Sequence, residues 1–204
     1  MSITTHERPG VYSSYGASSL IRGSGGRKTV GLVAVNTKAT AKTVYTITSY
    51  EEAVTTFGSA GGQDMAELIR VILLNGAAAV AAVPIAASTD YEAGFAVLEG
   101  QENVSVVVCD STTQTDQQDL RDSVAAASAA RRERIAVVGG AASETVTNLI
   151  SRAAALNSER VVLVAPGGTD EDGTALSGLT AAAAVAGAIA AQRDPALPLS
   201  GAEL

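Results

Sequence analysis

The chain has 204 residues, 47% of them hydrophobic and 17% charged, which favours one folded domain with appendages over a disordered chain. Its formal net charge of -7 argues against a nucleic-acid partner, because binding to phosphates needs a net-positive face. A single cysteine excludes an internal disulfide and a thiolate metal cage. No apolar stretch reaches the ~20 residues that span a bilayer, so we expect a protein that is soluble and cytosolic at synthesis, with no membrane segment.

Residues 1–28 differ from the rest of the chain. They are polar and rich in glycine, with no helical periodicity and with short β-prone pieces at Val11-Tyr12 and Leu20-Ile21. We interpret this segment as an extended arm. Its last glycines precede Lys28-Thr29 as in a phosphate-binding loop, but Arg27 interrupts that motif and a strand follows it instead of a helix. The glycines are therefore better interpreted as a hinge.

From Thr29 onward, short apolar runs alternate with amphipathic segments at nearly regular spacing. The runs are rich in valine and apolar at successive positions, a pattern that indicates strands buried on both faces, as in a parallel sheet. They comprise Val30 to Val35, Ala79 to Ile85, Val104 to Cys109, Ile135 to Val138 and Val161 to Ala165.

Capping signals and apolar periodicity predict three helices in the first half. Ser49 with Glu52, and Thr89 with Glu92, have the spacing of a capping box, which marks a helix start. Gly76 stands where a C-terminal cap is expected. The stripe before it has helical spacing and consists of Met65, Leu68, Ile69, Ile72 and Leu73.

Three further helices are predicted in the second half. The segment Gln114 to Arg132 carries acids early and arginines late, the order that a helix dipole favours. Leu179 to Ala191 is an alanine-rich helix suited to close packing on a sheet. The segment between these two has an apolar stripe, formed by Val146, Leu149, Ile150 and Ala153.

The alternation of strands and helices predicts an α/β fold with right-handed crossovers, a three-layer sandwich around a mainly parallel sheet. We assign this domain to residues 29–192 and the extended arm to residues 1–28. After Gln192, Pro195 and Pro198 end the last helix, so residues 193–204 are interpreted as a linker.

Few residues of the sequence are candidates for catalysis or ligand binding. The stretch Cys109-Asp110-Ser111-Thr112 follows a predicted central strand, at the usual ligand edge of α/β folds, and is the most enzyme-like place in the chain. Its cysteine has no histidine nearby, because the one histidine is His6 in the arm. We therefore interpret Cys109 as buried and structural, followed by an aspartate or serine helix cap.

Two other candidate sites lack part of their motif. Val137-Val138-Gly139-Gly140 with Ser143 resembles an anion-binding turn between strand and helix, but the third glycine of a dinucleotide fingerprint is missing. Asp170-Glu171-Asp172-Gly173 lacks the alternating ligands of a calcium loop. We interpret them as a tight turn and a solvated loop. The sequence thus predicts no catalytic residues, no metal and no cofactor.

Several stretches together resemble contractile-tail sheath proteins of phages and phage-like particles. Glu7-Arg8-Pro9-Gly10-Val11-Tyr12, the glycine-rich stretch after it, and Val30-Gly31-Leu32-Val33-Ala34 are similar to the opening of that family. Further similarity lies in Ser49 to Gly58, in Leu74-Asn75-Gly76 before the strand at Val80 to Pro84, and in Asp194-Pro195-Ala196 with Pro198-Leu199. In combination the resemblance spans nearly the whole chain.

The resemblance implies a structural subunit instead of an enzyme. Sheath proteins of this kind form hexameric rings that stack helically around an inner tube and contract to drive it through a cell envelope. The implied partners are other copies of the chain, the inner tail tube protein, and the baseplate and terminator proteins. The implied location is a virion tail or phage-like particle assembled in the bacterial cytoplasm.

In that family, terminal arms add strands to a neighbour's sheet and keep the subunits linked during contraction. Sheath proteins usually continue into a C-terminal domain that this sequence lacks, so we expect a truncated or split version of the N-terminal part. The residues expected at the inter-subunit arm contact are Pro9, Gly10, Val11, Tyr12, Tyr15, Leu20 and Ile21.

Two alternatives stay open at this point. Another tail component of related fold, such as an adaptor or terminator, would explain a short chain without truncation. A small α/β enzyme would instead use the edge from Cys109 to Thr112 on a small molecule.

Overall fold

A computed structural model describes residues 28–169, 173 and 177–192. The residues assigned to the arm, up to Arg27, and to the linker 193–204 lie outside this described part. The elements in chain order are β1 (Thr29–Val35), β2 (Tyr45–Ile47), α1 (Tyr50–Phe57), α2 (Met65–Leu74), β3 (Ala79–Ile85), α3 (Tyr91–Glu99), β4 (Val104–Cys109), α4 (Gln114–Ala129), β5 (Ile135–Gly139), α5 (Val146–Leu156), β6 (Val161–Val164) and α6 (Leu179–Ala191).

The strands form one six-stranded sheet in the order β2-β3-β1-β4-β5-β6. The strand β2 pairs antiparallel with β3, and every other neighbouring pair is parallel. The chain runs from β1 to β3 on one side of it and then returns past β1 to β4 on the other side, so the winding direction reverses at β1. This arrangement is the doubly wound pattern, whose crevice opens between the carboxyl ends of β1 and β4.

Helices cover both faces of the sheet, so the predicted three-layer α/β sandwich is confirmed. On one face, α1, α2 and α6 pack over alternate strand residues such as Leu32, Ala82 and Val108. On the other face, α3, α4 and the end of α5 pack over the intervening residues, among them Val33 and Val107. The central strands are buried on both faces, which is why their sequences are apolar at successive positions.

The predicted helix boundaries at Ser49 and Gly76 are confirmed. The Ser49 hydroxyl accepts from the Glu52 amide at 3.3 Å, and the Glu52 carboxylate accepts from the Thr48 amide at 3.0 Å. Gly76 has a φ of 97°, which lets its amide and that of Ala77 turn back onto carbonyls in the last turn of α2.

Two local predictions are wrong. Thr89 does not cap α3, because Asp90 is the residue that precedes the helix. The helix α4 ends at Ala129 and does not continue to Arg132, because Arg131 adopts a left-handed conformation with φ of 63°. The guanidinium of Arg132 instead donates to the Glu99 carbonyl at 2.6 Å, so it stabilises the carboxyl end of α3.

The apolar stripe predicted for α5 does not pack fully against the sheet. Val146 and Ile150 are exposed, and the buried residues of α5 are Arg152 and Leu156. Among the described residues, no helix is both long and apolar enough to cross a membrane.

Candidate functional site

The structure places Cys109 to Thr112 at the doubly wound crevice, since Cys109 is the last residue of β4. The Cys109 side chain is fully buried, with its Sγ 3.8 Å from the Ser111 carbonyl oxygen. Burial raises the pKa of this thiol, and the hydrogen bond to the Ser111 carbonyl lowers it. Burial has the larger effect, so the pKa is about 12. The thiol therefore stays protonated at neutral pH and is not an activated nucleophile.

We expect Cys109 in the native protein to react with Ellman's reagent at least about a hundredfold more slowly than in guanidinium-unfolded protein. Replacing Cys109 by alanine should cost about 1 kcal/mol of unfolding free energy, because one buried sulfur is lost. Spectrophotometric thiol titration and chemical denaturation measure the two effects. Rapid modification of the native thiol would favour the enzyme alternative.

Both carboxylate oxygens of Asp110 accept hydrogen bonds from within the protein. Its Oδ2 accepts from the Val35 amide at 2.9 Å, and its Oδ1 accepts from the Tyr91 hydroxyl. Burial raises the pKa of Asp110, although these hydrogen bonds oppose the shift. The carboxylate thus ties the end of β1 to α3, and both of its oxygens already have partners.

The Ser111 hydroxyl, just before α4, also makes hydrogen bonds within the protein. Its hydroxyl donates to the Asp116 carboxylate and accepts from the Thr113 amide at 3.1 Å. The predicted aspartate or serine cap is wrong: Thr113 is the residue that precedes α4, and no side chain of the described residues caps the helix. The Ser111 hydroxyl instead fixes the turn that leads into α4.

A buried polar cluster lies next to Thr112, at the same carboxyl edge of the sheet. Arg152, from α5, donates to Glu144 at 3.0 Å, to the Thr112 carbonyl at 2.7 Å and to Gln117 Oε1 at 3.1 Å. The fully buried Gln117 donates in turn to the Gly139 carbonyl at 2.8 Å. The cluster therefore joins the ends of β4 and β5 to α4 and α5.

Glu144 is the acidic member of this cluster. Burial raises its pKa, but the hydrogen bonds from Arg152 and from the Ala141 amide outweigh burial, so the pKa is lowered overall. Sequence reasoning missed the cluster. The available signal was a lone charged residue, Arg152, in the middle of a helix with no other charge.

The glycine pair at the end of β5 makes a close backbone contact. The Gly178 amide donates to the Gly140 carbonyl at 2.8 Å, and a Cβ atom on Gly139 would lie 2.5 Å from the Gly178 carbonyl carbon. The amides of the turn already have partners, since Gly140 donates to the Val164 carbonyl at 3.0 Å and Ala141 donates to the Glu144 carboxylate at 2.9 Å. The turn holds two backbone segments together, as expected for a tight turn.

The other candidate residues lie outside the described part of the chain: His6, the acidic residues 170–172, and the arm contact residues Pro9, Gly10, Val11, Tyr12, Tyr15, Leu20 and Ile21. Within residues 28–169, 173 and 177–192, no group of three or more histidine, cysteine, aspartate or glutamate side chains is placed to hold a metal ion.

The sequence matches no protein-family model and no curated protein. Solved structures do match. The crystal structure of a sheath tail protein from Desulfitobacterium hafniense has a TM-score of 0.63 and 13% identity, and the match covers 90% of this chain and 63% of that one. A sheath tail protein from Listeria innocua has a TM-score of 0.61 and 14% identity, with 86% and 59% covered.

The helical sheath of the anti-feeding prophage in its contracted state gives a TM-score of 0.57 and 17% identity over 93% of this chain and 54% of that one. This chain thus spans between 54% and 63% of the length of the three structures. At such low identity the likeness concerns the fold, and it extends over 86% to 93% of the chain. The protein therefore has the fold of sheath tail proteins, as the sequence resemblance predicted.

Proposed function

We propose that this chain is a structural subunit of a contractile tail sheath, which polymerises around an inner tube and contracts to drive it through a cell envelope. The observation that carries the proposal is the likeness of its fold, over most of its length, to sheath tail proteins that include a helical sheath. The proposed partners are further copies of the chain in hexameric rings, the inner tube protein, and baseplate and terminator proteins.

The chemistry of the crevice supports a structural role over a catalytic one. Ligand crevices of doubly wound folds place free polar groups at the carboxyl ends of the strands. Here Asp110, Ser111 and Arg152 are instead joined to neighbouring backbone and side chains. The thiol of Cys109, at the same edge, is fully buried.

We further propose that residues 1–28 act as the linking arm, residues 29–192 as the sheath body and residues 193–204 as a linker. The arm has few large apolar side chains, so it cannot fold alone, but it can pair as a strand when a neighbour supplies a sheet edge. Gly10 and the glycines between 23 and 26 would serve as hinges while the body rotates.

Deleting residues 1–22 should leave the body folded and abolish stable sheath tubes, because strand pairing between subunits is lost. Circular dichroism and electron microscopy of the assembled particle measure the two outcomes. Deleting only residues 2–6 is the matched control, since it removes chain ahead of Pro9 and should leave assembly intact. Sheaths that form from the longer deletion and contract without shedding subunits would show that the arm is dispensable.

A further inference from the structure

A pocket of about 290 Å³ lies at the amino edge of the sheet, where the chain enters β4 and β5. We call it the amino-edge pocket. Its charged lining residues are Lys28, Glu133, Arg134 and Arg160. Glu133 pairs with Arg160 at 2.6 Å. Positive charge therefore predominates among the described residues of the lining, in a chain whose net charge is -7.

Arg134 is the buried cation of this pocket, with 3% of its surface exposed. Its terminal nitrogens donate to the Leu98 carbonyl at 2.9 Å and to the Gln101 carbonyl at 2.8 Å, at the carboxyl end of α3. Within the described part of the chain, its Nε has no hydrogen-bond partner and no carboxylate oxygen lies within 4.0 Å of the guanidinium. Buried charges are ordinarily paired, because water no longer solvates them.

The end of α3 supplies only part of the missing negative charge. A helix carboxyl terminus carries about half of one negative charge. Arg132 shares it, since its guanidinium donates to the Glu99 carbonyl at 2.6 Å. Burial lowers the pKa of Arg134, the charge of Arg132 lowers it further, and Glu99, which raises it, has the smallest effect of the three. Arg134 is therefore short of negative charge in its described surroundings.

A second buried donor lines the same pocket. Ser105 is the extra residue of a β-bulge, since Thr29 pairs with Val104 and Val30 pairs with Val106. Its hydroxyl is buried and has no hydrogen-bond partner among the residues described. A hydroxyl and an Nε–H group can both donate, so the group that both lack is an oxygen acceptor. Together with the positive charge, this favours a carboxylate as the occupant.

The chain itself brings a carboxylate to this place. The helix α6 begins next to the turn at Gly140 and runs to the amino edge, where Ile189 lines the pocket. Asp194 follows Ile189 by five residues, and α6 ends at Ala191. Two helical residues and three extended ones span at most about 14 Å. Asp194 can therefore reach the amino-edge pocket without any change in the body.

Charge and tethering distinguish Asp194 from other occupants. The arm also begins at this pocket, but residues 1–27 carry three arginines and a single carboxylate, Glu7, which is far from Lys28 in sequence. Glu203, the other acid of the linker, must close a longer loop than Asp194. A carboxylate on a short tether has an effective concentration in the millimolar range, which carboxylates of separate proteins do not reach at ordinary concentrations.

We propose that the Asp194 carboxylate occupies the amino-edge pocket and pairs with the Arg134 guanidinium of the same chain. The ion pair fixes the start of the linker 193–204 to the body, beside the point where the arm begins. It therefore sets the direction in which the linker leaves the body. This pairing goes beyond the proposed function and does not depend on assembly.

A double-mutant cycle tests the pairing by chemical denaturation. Asp194→Asn should lower the folding equilibrium constant about tenfold at neutral pH, because Arg134 loses its counter-ion. In an Arg134→Met background the same change should have an effect of less than about twofold, since the cation is gone. Glu203→Gln is the matched control: it removes the same charge from the same linker and should leave the constant within about twofold of the natural value.

Trypsin cleavage after Arg193 gives a readout that needs only the Asp194 variant. Pairing of Asp194 with the body protects the adjacent peptide bond. Asp194→Asn should therefore speed this cleavage about tenfold, after correction for the rates of matching peptides of residues 188–200 with either residue. Glu203→Gln should not change the rate. Mass spectrometry of the fragments measures it.

Equal effects of Asp194→Asn in the natural and Arg134→Met backgrounds would overturn the pairing. Cleavage after Arg193 as fast in the natural protein as in the free peptide would do the same. A loss of stability from Glu203→Gln but not from Asp194→Asn would assign the pocket to Glu203 instead. Inorganic phosphate that stabilises the natural protein but not Arg134→Met would show that the pocket takes a free anion, and would also contradict the proposal. None of these outcomes bears on sheath assembly.

Discussion

Replacing Gly139 by alanine should destabilise the body by about 3 kcal/mol or more, because the new methyl group has no space. Its Cβ would lie 2.5 Å from the Gly178 carbonyl carbon and 2.6 Å from the Leu179 amide nitrogen. Both are backbone atoms, so no side chain can turn aside to relieve the clash. The hydrogen bond between Gly178 and Gly140, at 2.8 Å, would be strained at the same time.

Gly100→Ala is the matched control for this substitution. Gly100 follows α3 with a right-handed helical backbone, and the nearest atom to an added Cβ is 3.7 Å away, an ordinary van der Waals contact. The control should change the unfolding free energy by no more than about 0.5 kcal/mol. Equilibrium denaturation measures both variants. Equal stabilities would mean that β5 and α6 do not meet as described.

Replacing Arg152 by methionine should cost about 3–5 kcal/mol of unfolding free energy at neutral pH. Methionine keeps much of the apolar volume but leaves Glu144 as a buried carboxylate without its cation. The Thr112 carbonyl and Gln117 also lose a hydrogen-bond donor. Arg160→Met is the control: its partner Glu133 is exposed, and such surface pairs contribute about 0–1 kcal/mol.

The effect of Arg152→Met should depend on pH. The folded-state pKa of Glu144 is below its ordinary value of 4.5, so the ion pair stabilises the natural protein above that pH. This stabilisation is lost as the pH falls through the lower folded-state pKa. Denaturation curves should therefore show the largest difference between the two proteins at neutral pH and a progressively smaller one as the pH falls below 4.5. A difference that does not change with pH would mean that Glu144 is not ionised in the fold.

Sequence periodicity predicted the sheet because its central strands are buried on both faces. Ala79–Ile85 and Val104–Cys109 begin and end as predicted, since a continuous apolar run has clear limits. The three-residue β2 was missed because an edge strand of that length has no distinct pattern. Its place in the sheet is set by pairing with β3, a contact between residues that are far apart in sequence.

The polar cluster could not be predicted for a similar reason. Arg152 and its partner Gln117 are 35 residues apart, and only the packing of α5 beside α4 brings them together. Periodicity showed that α5 has an apolar stripe, but it does not show which side of a helix faces the sheet. The buried ion pair decides that orientation, and it leaves Val146 and Ile150 exposed.

Cryo-electron microscopy of the particle that contains this protein tests the central claim most directly. We expect a helical array of subunits, each with the body of residues 29–192, arranged in six-membered rings around an inner tube. Density that lacks this chain, together with its isolation from the particle-producing cell as a monodisperse monomer that turns over a small molecule at the edge from Cys109 to Thr112, would contradict this arrangement.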